Sequence, residues 1–367
     1  MLKVFSPWVS RAEAVAAEET LLSQWIGVGP RCAEMQRRLA TMWQVPVENI
    51  ILTNSCTSAI FLAMRCLNVK EGDDVIVPTI HFPAVANAIL QLGATPVLCD
   101  VNPRSLMPEP KHVAAVMTSK TVGFCALHYG GHVCDIDAIR DVLGEHRFIF
   151  EDAATATVST LRGRPAGTIG DAGAWSFDAM KIITMGDGGA LYMRDAEAAA
   201  RARRLCNLGM DSPSGHERAK LTESEWWRFE ITEPSGYFAS NDIAASIGLV
   251  QLDRLEEIVA VRQYIYGVYD AALSMSDVEI GIPPTPPIGN RLSYYTYWIQ
   301  TRMRNQLASY LRHNDIYTTF RYYPLHRVYG ISGDFPGADL AAELTLNLPL
   351  HPWLTDEDIW RLSLIHI

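Results

Sequence analysis

Short apolar runs alternate with helix-like segments through the first half of the chain, and this alternation constrains the fold more than any other feature. Six runs predict buried strands, at residues 49–52, 74–77, 96–99, 121–127, 147–150 and 173–177. The segments 55–67 and 84–92 lie between strands and carry apolar residues at helical spacing. Strands that are joined through helices form mostly parallel sheets. The sequence therefore predicts an α/β fold built around such a sheet.

The size, charge and cysteine content of the chain narrow its possible functions. Its 367 residues suggest about two domains, at roughly 150 residues each. The formal net charge of -10 is a poor match for nucleic acid, so we expect no nucleic-acid partner. The seven cysteines are scattered without a CxxC pair, and we expect free thiols and no metal site. Because there is no apolar signal core and no stretch of about 18 uncharged apolar residues, the sequence predicts a cytoplasmic protein without a membrane partner.

Polar or aromatic residues follow three of the predicted strands, where parallel sheets bind their ligands. Residues 56–58 begin a helix whose N–H groups and hydroxyls can grip a phosphate or form an ordinary N-cap. Phe82 can stack on a flat ring or belong to the core. Asp152, next to Glu151, can pair with a protonated pyridine nitrogen or cap a helix.

Lys181 stands five positions after Ser176 and opens a glycine-rich segment, 181–189. A lysine amine forms a Schiff base with an aldehyde, and a nearby hydroxyl can hold the phosphate of pyridoxal phosphate (PLP). Most lysines are solvated surface charges, so Lys181 alone indicates little. Successive strand ends carry, in this order, a phosphate-type turn, an aromatic ring, a carboxylate and a Ser-x4-Lys pair. Together these features indicate a PLP site.

With these motifs the chain resembles the PLP-dependent nucleotide-sugar aminotransferases of the DegT/DnrJ/StrS type, which have the aspartate aminotransferase fold, also called fold-type I. The resemblance covers nearly the whole length. Besides the strand-end motifs, it rests on the segments 25–30, 78–87, 151–154, 170–173, 244–252 and 348–355. It implies a large PLP-binding domain with a mostly parallel sheet and an N-terminal arm, residues 1–250. A smaller C-terminal α/β domain, residues 251–367, would be entered by a long helix from Gln251 to Leu273.

The resemblance also implies roles for single residues. Lys181 would anchor PLP and shuttle protons, Asp152 would pair with the pyridine nitrogen, and Phe82 would stack on the ring. The phosphate would be bound by Ser176, by Thr57 and by the backbone around Cys56 and Ser58. Because a proton shuttle must be neutral part of the time, we expect burial beside the cationic cofactor to lower the pKa of Lys181.

Three positions depart from the family pattern. Cys56 stands where the family usually has glycine, so it must adopt an ordinary backbone geometry or carry strain. Thr155 replaces a frequent glutamine or histidine near the ring hydroxyl. Asn241 is the candidate for an asparagine that reaches the phosphate of the neighbouring subunit in many relatives, which implies a homodimer with shared active sites.

The resemblance also implies a substrate and a reaction. L-Glutamate would give its amino group, leaving pyridoxamine phosphate, and a nucleotide-linked keto-sugar would receive it in a ping-pong reaction. A dTDP-4-keto-6-deoxyhexose is favoured over a 3-keto isomer. The segment 318–327, with Arg321, Tyr322 and His326, resembles the substrate-side strand and loop, although each arginine in it can equally be a solvated surface charge. Residues 223–233, with Trp226 and Trp227, are candidates for a dimer contact.

The sequence gives less support to other motifs and other functions. His128 and His132 are four residues apart, but Gly130 and Gly131 between them favour a turn over a metal site. Residues 186–189 lack the spacing of a dinucleotide fingerprint and favour a turn into a strand at 190–193. A related PLP-dependent sugar dehydratase has histidine at the anchor position, so Lys181 argues against that activity. A non-catalytic PLP-binding regulator on the same fold stays open.

Overall fold

A seven-stranded sheet forms the centre of the computed structural model, in the strand order β1-β9-β8-β5-β4-β2-β3. The structure describes residues 1–210, 219–220, 223–275 and 279–363. The sheet strands are β1 (Ile50–Thr53), β2 (Asp74–Pro78), β3 (Thr95–Cys99), β4 (Thr121–Leu127), β5 (Phe148–Asp152), β8 (Ala172–Ser176) and β9 (Gly189–Met193). Only β9 runs against its neighbours, being antiparallel to both β1 and β8. The predicted α/β fold with a mostly parallel sheet is confirmed, and each predicted strand is present within two residues of its expected bounds.

Helices cover both faces of this sheet and connect its strands. The helices are α1 (Arg11–Leu22), α2 (Pro30–Trp43), α3 (Cys56–Cys66), α4 (Ala84–Gln91), α5 (Pro110–Ala114), α6 (Ile136–Leu143), α7 (Ala196–Cys206), α8 (Asp242–Asp253), α9 (Leu255–Ser274), α10 (Arg304–His313), α11 (Leu325–Tyr329), α12 (Pro336–Leu344) and α13 (Asp356–Ser363). Alternate residues of each strand enter different apolar clusters: Ile51 packs on the α3 side, while Ile50 and Leu52 pack on the α2 side. This period of two is what a sheet that is buried on both faces requires.

Two small two-stranded sheets complete the described fold. The hairpin of β6 (Thr160–Leu161) and β7 (Arg164–Pro165) follows the central strand β5. Near the C-terminus, β10 (Tyr297–Gln300) pairs antiparallel with β11 (Thr345–Leu348), and an apolar cluster joins this pair to α9 and α13. Within the described residues, no helix is both long and apolar enough to cross a membrane.

The long helix that enters the C-terminal part begins at Leu255, so the predicted start at Gln251 is wrong. Gln251 lies in α8, and a single non-helical residue, Arg254, separates α8 from α9. The Arg254 guanidinium contacts Glu13 at 3.0 Å and packs 4.5 Å from the Trp8 ring. Tertiary contacts with the N-terminal residues therefore break a helix that the apolar spacing alone predicts as continuous. The division of the chain into domains at residue 250 stays a prediction.

Glu13 makes the stability of this fold dependent on pH. It is 3% exposed and receives hydrogen bonds from the backbone and hydroxyl of Ser10 and from Gln251 Nε2. Burial alone would raise the pKa of Glu13, but these hydrogen bonds outweigh it and lower that pKa to about 2. A pKa that folding depresses stabilises the fold above the unfolded-state value and stops doing so as pH falls through the folded value.

We therefore expect the free energy of unfolding to fall as pH is lowered from about 4.5 towards 2, by on the order of 2–3 kcal/mol for this group. Denaturant titrations at several pH values measure this. Glu13→Gln should remove most of that pH dependence and destabilise the protein at neutral pH. The control Glu18→Gln changes an exposed carboxylate of the same helix. Equal pH dependence in wild type and Glu13→Gln would contradict the assignment.

Candidate active site

Lys181 follows β8 and points towards a group of acidic and phenolic side chains. Its Nζ lies 5.1 Å from the centre of the Tyr295 ring, a distance at which an ammonium group is attracted to the ring face. The side chain is half-buried. Burial by itself lowers the pKa of Lys181, but Tyr295, Tyr322, Cys56 and Asp152 around it outweigh burial and raise that pKa above its ordinary value. The expected lowering concerns the lysine beside the bound cofactor, and it stays a prediction.

Asp152 ends β5 as a buried carboxylate that can still accept a hydrogen bond. It is 2% exposed, and its Oδ1 accepts from the backbone N–H of Ala154 at 3.0 Å. His81 Nδ1 lies 3.9 Å from Oδ2. Burial lowers the pKa of His81, against the attraction of Asp152, so this ring is neutral at neutral pH. The carboxylate thus lacks a full counter-charge from His81, and a protonated ring nitrogen would supply one.

Glu151, the neighbouring carboxylate, lies on the other face of the sheet and stabilises the fold there. It is fully buried and accepts hydrogen bonds from the backbone N–H groups of Gly167, Ile169 and Gly170. His128 Nε2 donates a further one at 2.8 Å, because its Nδ1 accepts from the Cys134 N–H. Successive strand residues point to opposite faces, which separates the roles of the two carboxylates.

The N-terminus of α3 lies next to this site, and its first residue, Cys56, has ordinary helical geometry. The N-cap Ser55 accepts from the Ser58 N–H at 3.1 Å, and the Ser58 hydroxyl donates to Asn54 at 2.6 Å. Both polar groups of Ser58 are therefore used by the cap. Thr57 is exposed at the same helix end. The helix end with Thr57 keeps the geometry of an anion site, because N–H groups at the start of a helix attract negative charge.

Two aromatic side chains border the site. Phe82 follows β2 and is 45% exposed, so its side chain is accessible to a ligand. Tyr322 lies beside it, with ring centres 5.7 Å apart. Burial is the main reason that the pKa of Tyr322 rises to about 12, while Lys181 opposes this rise. Ser176, the last residue of β8, is buried and its Oγ accepts from the Asp178 N–H at 3.3 Å.

Three predicted site residues have structural partners within the subunit. Thr155 is buried and donates to the His128 carbonyl at 2.6 Å. Asn241 caps α8 by accepting from the Ala244 N–H at 2.9 Å, although the residue is exposed. His326 is 8% exposed and both its ring nitrogens are engaged, by Thr79 at 2.8 Å and by Asp339 at 3.2 Å. The structure thus brings Lys181, Asp152, Cys56 and Tyr322 together, while both ring nitrogens of His326 are bonded to other residues.

Arg321 differs from these three, because its guanidinium contacts Tyr295, whose ring lies near the Lys181 amine. The side chain is half-buried, and Nη1 approaches the Tyr295 hydroxyl at 3.4 Å. Within the described part of the chain, it forms no ion pair with a carboxylate. Burial would lower the pKa of Arg321, but the surrounding tyrosines and Asp178 raise it, so the group is cationic.

Comparison with known proteins identifies the family. Residues 9–363 match the DegT/DnrJ/EryC1/StrS aminotransferase family. The chain belongs to this family. It is 40% identical over 365 residues to dTDP-4-dehydro-2,3,6-trideoxy-D-glucose 4-aminotransferase of Saccharopolyspora spinosa, covering 98% of this chain and 94% of the relative.

Solved structures agree with this membership of the DegT/DnrJ/EryC1/StrS aminotransferases. The aminotransferase TlmJ of Streptoalloteichus hindustanus is 43% identical with a TM-score of 0.93, over 100% of this chain and 98% of that one. Spr1654 of Streptococcus pneumoniae, in its PMP form, is 28% identical with a TM-score of 0.92 over 100% and 98%. The protein is therefore a PLP-dependent sugar aminotransferase of fold-type I, as its motifs predict.

The side chains present fit the cofactor of a family member. Each part of PLP has one potential partner here. The buried Asp152 carboxylate would pair with the ring nitrogen, and the amine of Lys181 would bind the aldehyde. The exposed ring of Phe82 would cover a ring face, and the N-terminus of α3 would bind the phosphate. The role of each predicted site residue stays a prediction, which applies to Lys181, Asp152, Phe82, Cys56, Thr57, Ser58, Thr155, Ser176, Asn241, Arg321, Tyr322 and His326.

Gly189 determines how closely β9 approaches the start of α3, the predicted phosphate site. A Cβ at this position would lie 2.5 Å from the Cys56 nitrogen and 2.5 Å from the Ser55 carbonyl carbon. These are backbone atoms, so any side chain would displace the start of α3. We expect Gly189→Ala to weaken PLP binding about tenfold, which corresponds to ~1.4 kcal/mol, in a fluorescence titration of apoenzyme. Gly267→Ala is the control, since its Cβ would meet open space; unchanged affinity in Gly189→Ala would contradict the prediction.

Sequence reasoning missed Tyr295 and Phe5. Tyr295 precedes β10 in an aromatic run, 294–298, that reads as an ordinary buried strand. Phe5 lies 290 positions earlier in the chain and stacks on Tyr295 with ring centres 4.8 Å apart. The fold places Tyr295 near Lys181 and Phe5 on Tyr295. The spacing of residues along the chain does not indicate these contacts. The turn at His128 to His132 is confirmed, since residues 129–131 form a short 3₁₀ turn.

Proposed function

We propose that this sugar aminotransferase transfers the amino group of L-glutamate to C4 of a dTDP-linked 4-keto-6-deoxyhexose. One observation supports the chemistry, namely that the buried Asp152 carboxylate lies close enough to the Lys181 amine to help raise the pKa of that amine. The choice of sugar is supported by 40% identity, along 98% of the chain, to an enzyme named for a dTDP-4-dehydro sugar. A 3-keto-sugar is the second candidate.

The side chains divide the work of this reaction. When bound, PLP supplies an electron-withdrawing ring and a carbon that carries the amino group between the two substrates. Lys181 anchors the ring and, when released, moves a proton to and from the substrate carbon. Asp152 holds the proton on the ring nitrogen, because a buried carboxylate favours a cation beside it. Phe82 covers a ring face and excludes water there.

Arg321 and Tyr322 are the proposed substrate-side residues. An arginine without a carboxylate partner can bind an anionic group, and both substrates carry such groups. The proposed role of His326 lacks comparable support, because Thr79 and Asp339 occupy its ring nitrogens. His326 can still shape the loop that carries Arg321.

We also propose that the protein acts as a homodimer with shared active sites. Apolar side chains are exposed in two segments, at Trp25, Ile26 and Val28, and at Trp226, Trp227, Phe229 and Ile231. Exposed aromatic groups of this kind are typical of interfaces. Sedimentation velocity should show a dimer that Trp227→Glu dissociates, whereas Trp360→Glu, at an equally exposed tryptophan of α13, should not. A monomeric wild type would overturn the proposal.

A substrate panel tests the proposed activity. Purified holoenzyme is incubated with L-glutamate and with dTDP-linked 4-keto and 3-keto sugars and a GDP-linked 4-keto sugar, and release of 2-oxoglutarate is measured. We expect release with the dTDP-linked 4-keto sugar and formation of its 4-amino product. Faster reaction with the 3-keto isomer would favour the second candidate. No release with any sugar would favour a PLP-binding regulator.

A further inference from the structure

Residues 2–8 form an N-terminal strap that is hydrogen-bonded along its length to the C-terminal part of the subunit. Leu2 makes two backbone hydrogen bonds, donating to the Asp315 carbonyl at 2.7 Å and accepting from the Tyr317 N–H at 2.9 Å. Further along, strap carbonyls accept hydrogen bonds from Leu350, His351, Trp353 and Gln251. Because the strap is held on both sides of Phe5, the position of that side chain is fixed.

Phe5 is the strap residue that points towards the active site. It is 5% exposed, and its ring stacks on Tyr295 at 4.8 Å with an interplanar angle of 11°. The Arg321 guanidinium carbon lies 4.5 Å from the centre of the Phe5 ring. Phe5 therefore contacts Tyr295, which lies near the Lys181 amine, and Arg321, which binds the Tyr295 hydroxyl.

Tyr295 connects Phe5 to Lys181. Its ring lies 5.1 Å from Lys181 Nζ, its hydroxyl is bound by Arg321, and its backbone carbonyl accepts from Arg262 at 3.3 Å. The backbone contact fixes the main chain of Tyr295, while the stacking on Phe5 fixes the plane of its ring. A ring that changes its plane loses its attraction for a cation, because this attraction acts through the ring face.

We propose that Phe5 is a positioning residue of the active site, which holds the Tyr295 ring against the amine of Lys181 from the N-terminal strap. The proposal rests on Lys181 as the PLP anchor but is independent of the sugar that the enzyme uses. It adds to the site a segment that lies outside the residues matched by the family model, which begin at residue 9.

The expected effect of Phe5 is on the protonation of the lysine nitrogen. A protonated nitrogen over an aromatic ring is stabilised by the negative face of that ring, and a ring that has moved no longer provides this stabilisation. The charged or titratable groups around Lys181 include Tyr295, Tyr322, Cys56 and Asp152. Those around Tyr295 include Arg321, Arg262, Tyr322 and Tyr129. Replacing Phe5 leaves all of these groups in the protein. A shift in the protonation of the lysine nitrogen therefore reports a change in the position of the Tyr295 ring.

The test uses holoenzyme and does not require a sugar substrate. The visible absorption of the lysine-bound cofactor is titrated from neutral to alkaline pH in wild type, Phe5→Leu, Phe5→Tyr and Val4→Ala. Phe5→Leu keeps apolar bulk but removes the stacking ring. Val4→Ala is the matched control, because Val4 is 1% exposed in the same strap and its loss affects packing only. Thermal unfolding of each variant is measured in parallel.

We expect the absorption midpoint of Phe5→Leu to fall by about 0.5–1 pH unit, since the protonated form loses its ring contact. Phe5→Tyr should restore the wild-type midpoint, and Val4→Ala should lower thermal stability without moving it. An unchanged midpoint in Phe5→Leu, or an equal shift in Val4→Ala, would overturn the proposal. If the substrate panel fails while Phe5→Leu shifts the midpoint, the strap proposal stands and the proposed sugar does not.

Discussion

Lys181→Ala should lose amino transfer by at least about 10⁴-fold, because in the proposed site one side chain both anchors the cofactor and moves the proton. The geometry leaves no substitute among the described neighbours of its amine, which are phenols, a thiol and a carboxylate. Conversion of the cofactor by L-glutamate, followed by absorption in single-turnover experiments, measures the loss without a sugar substrate. Lys181→Arg should be equally inactive, since a guanidinium keeps the charge but is not a nucleophile at neutral pH.

Two controls separate this effect from loss of folding. Lys111→Ala removes a lysine that is 72% exposed and paired with Glu109, and it should retain full activity. Small primary amines in the buffer should partly restore proton transfer to Lys181→Ala, because they supply the missing base. Substantial activity in Lys181→Ala without added amine would show that another group does the chemistry.

Asp152→Asn should lower turnover by about 10²–10³-fold while the protein stays folded. Asparagine has the same shape and keeps an oxygen for the Ala154 N–H, but it no longer favours a proton on the ring nitrogen. Without that proton the ring withdraws electrons less strongly, so the substrate carbon loses its proton more slowly. Single-turnover rates with L-glutamate, together with denaturant unfolding, measure both quantities.

The neighbouring carboxylate provides the matched control for Asp152. Glu151→Gln also removes one buried negative charge, but it disturbs the bonds to residues 167–170 and His128 on the other face of the sheet. We expect it to lower the free energy of unfolding, by roughly 1–3 kcal/mol, with a smaller effect on turnover. If Glu151→Gln slowed the chemistry more than Asp152→Asn, the roles of the two residues would have to be exchanged.

The sheet and the order of the site residues could be predicted from the sequence because they depend on local patterns. Buried parallel strands require continuous apolar runs, and their carboxyl ends are where Asp152 and Phe82 occur. The alternation along β5 also separates Glu151 from Asp152 once the strand is located. Lys181 could be identified as a candidate site residue because of its order relative to these residues.

The rest depends on contacts between distant parts of the chain. The break at Arg254 arises from Glu13 and Trp8, more than 240 positions away in sequence. Tyr295 and Phe5 become site residues only because the strap packs across the C-terminal part. His326 reads as a substrate residue in sequence, yet Thr79 and Asp339 bind both its nitrogens. Periodicity carries no information on such pairings.

Borohydride reduction of the holoenzyme tests the central claim most directly. The protein is incubated with PLP, reduced, digested and mapped by mass spectrometry, so that the lysine that carries the cofactor is identified covalently. The site described above predicts a single modified peptide that contains Lys181, and loss of that label in Lys181→Ala. A label on any other lysine of the wild type would contradict the account.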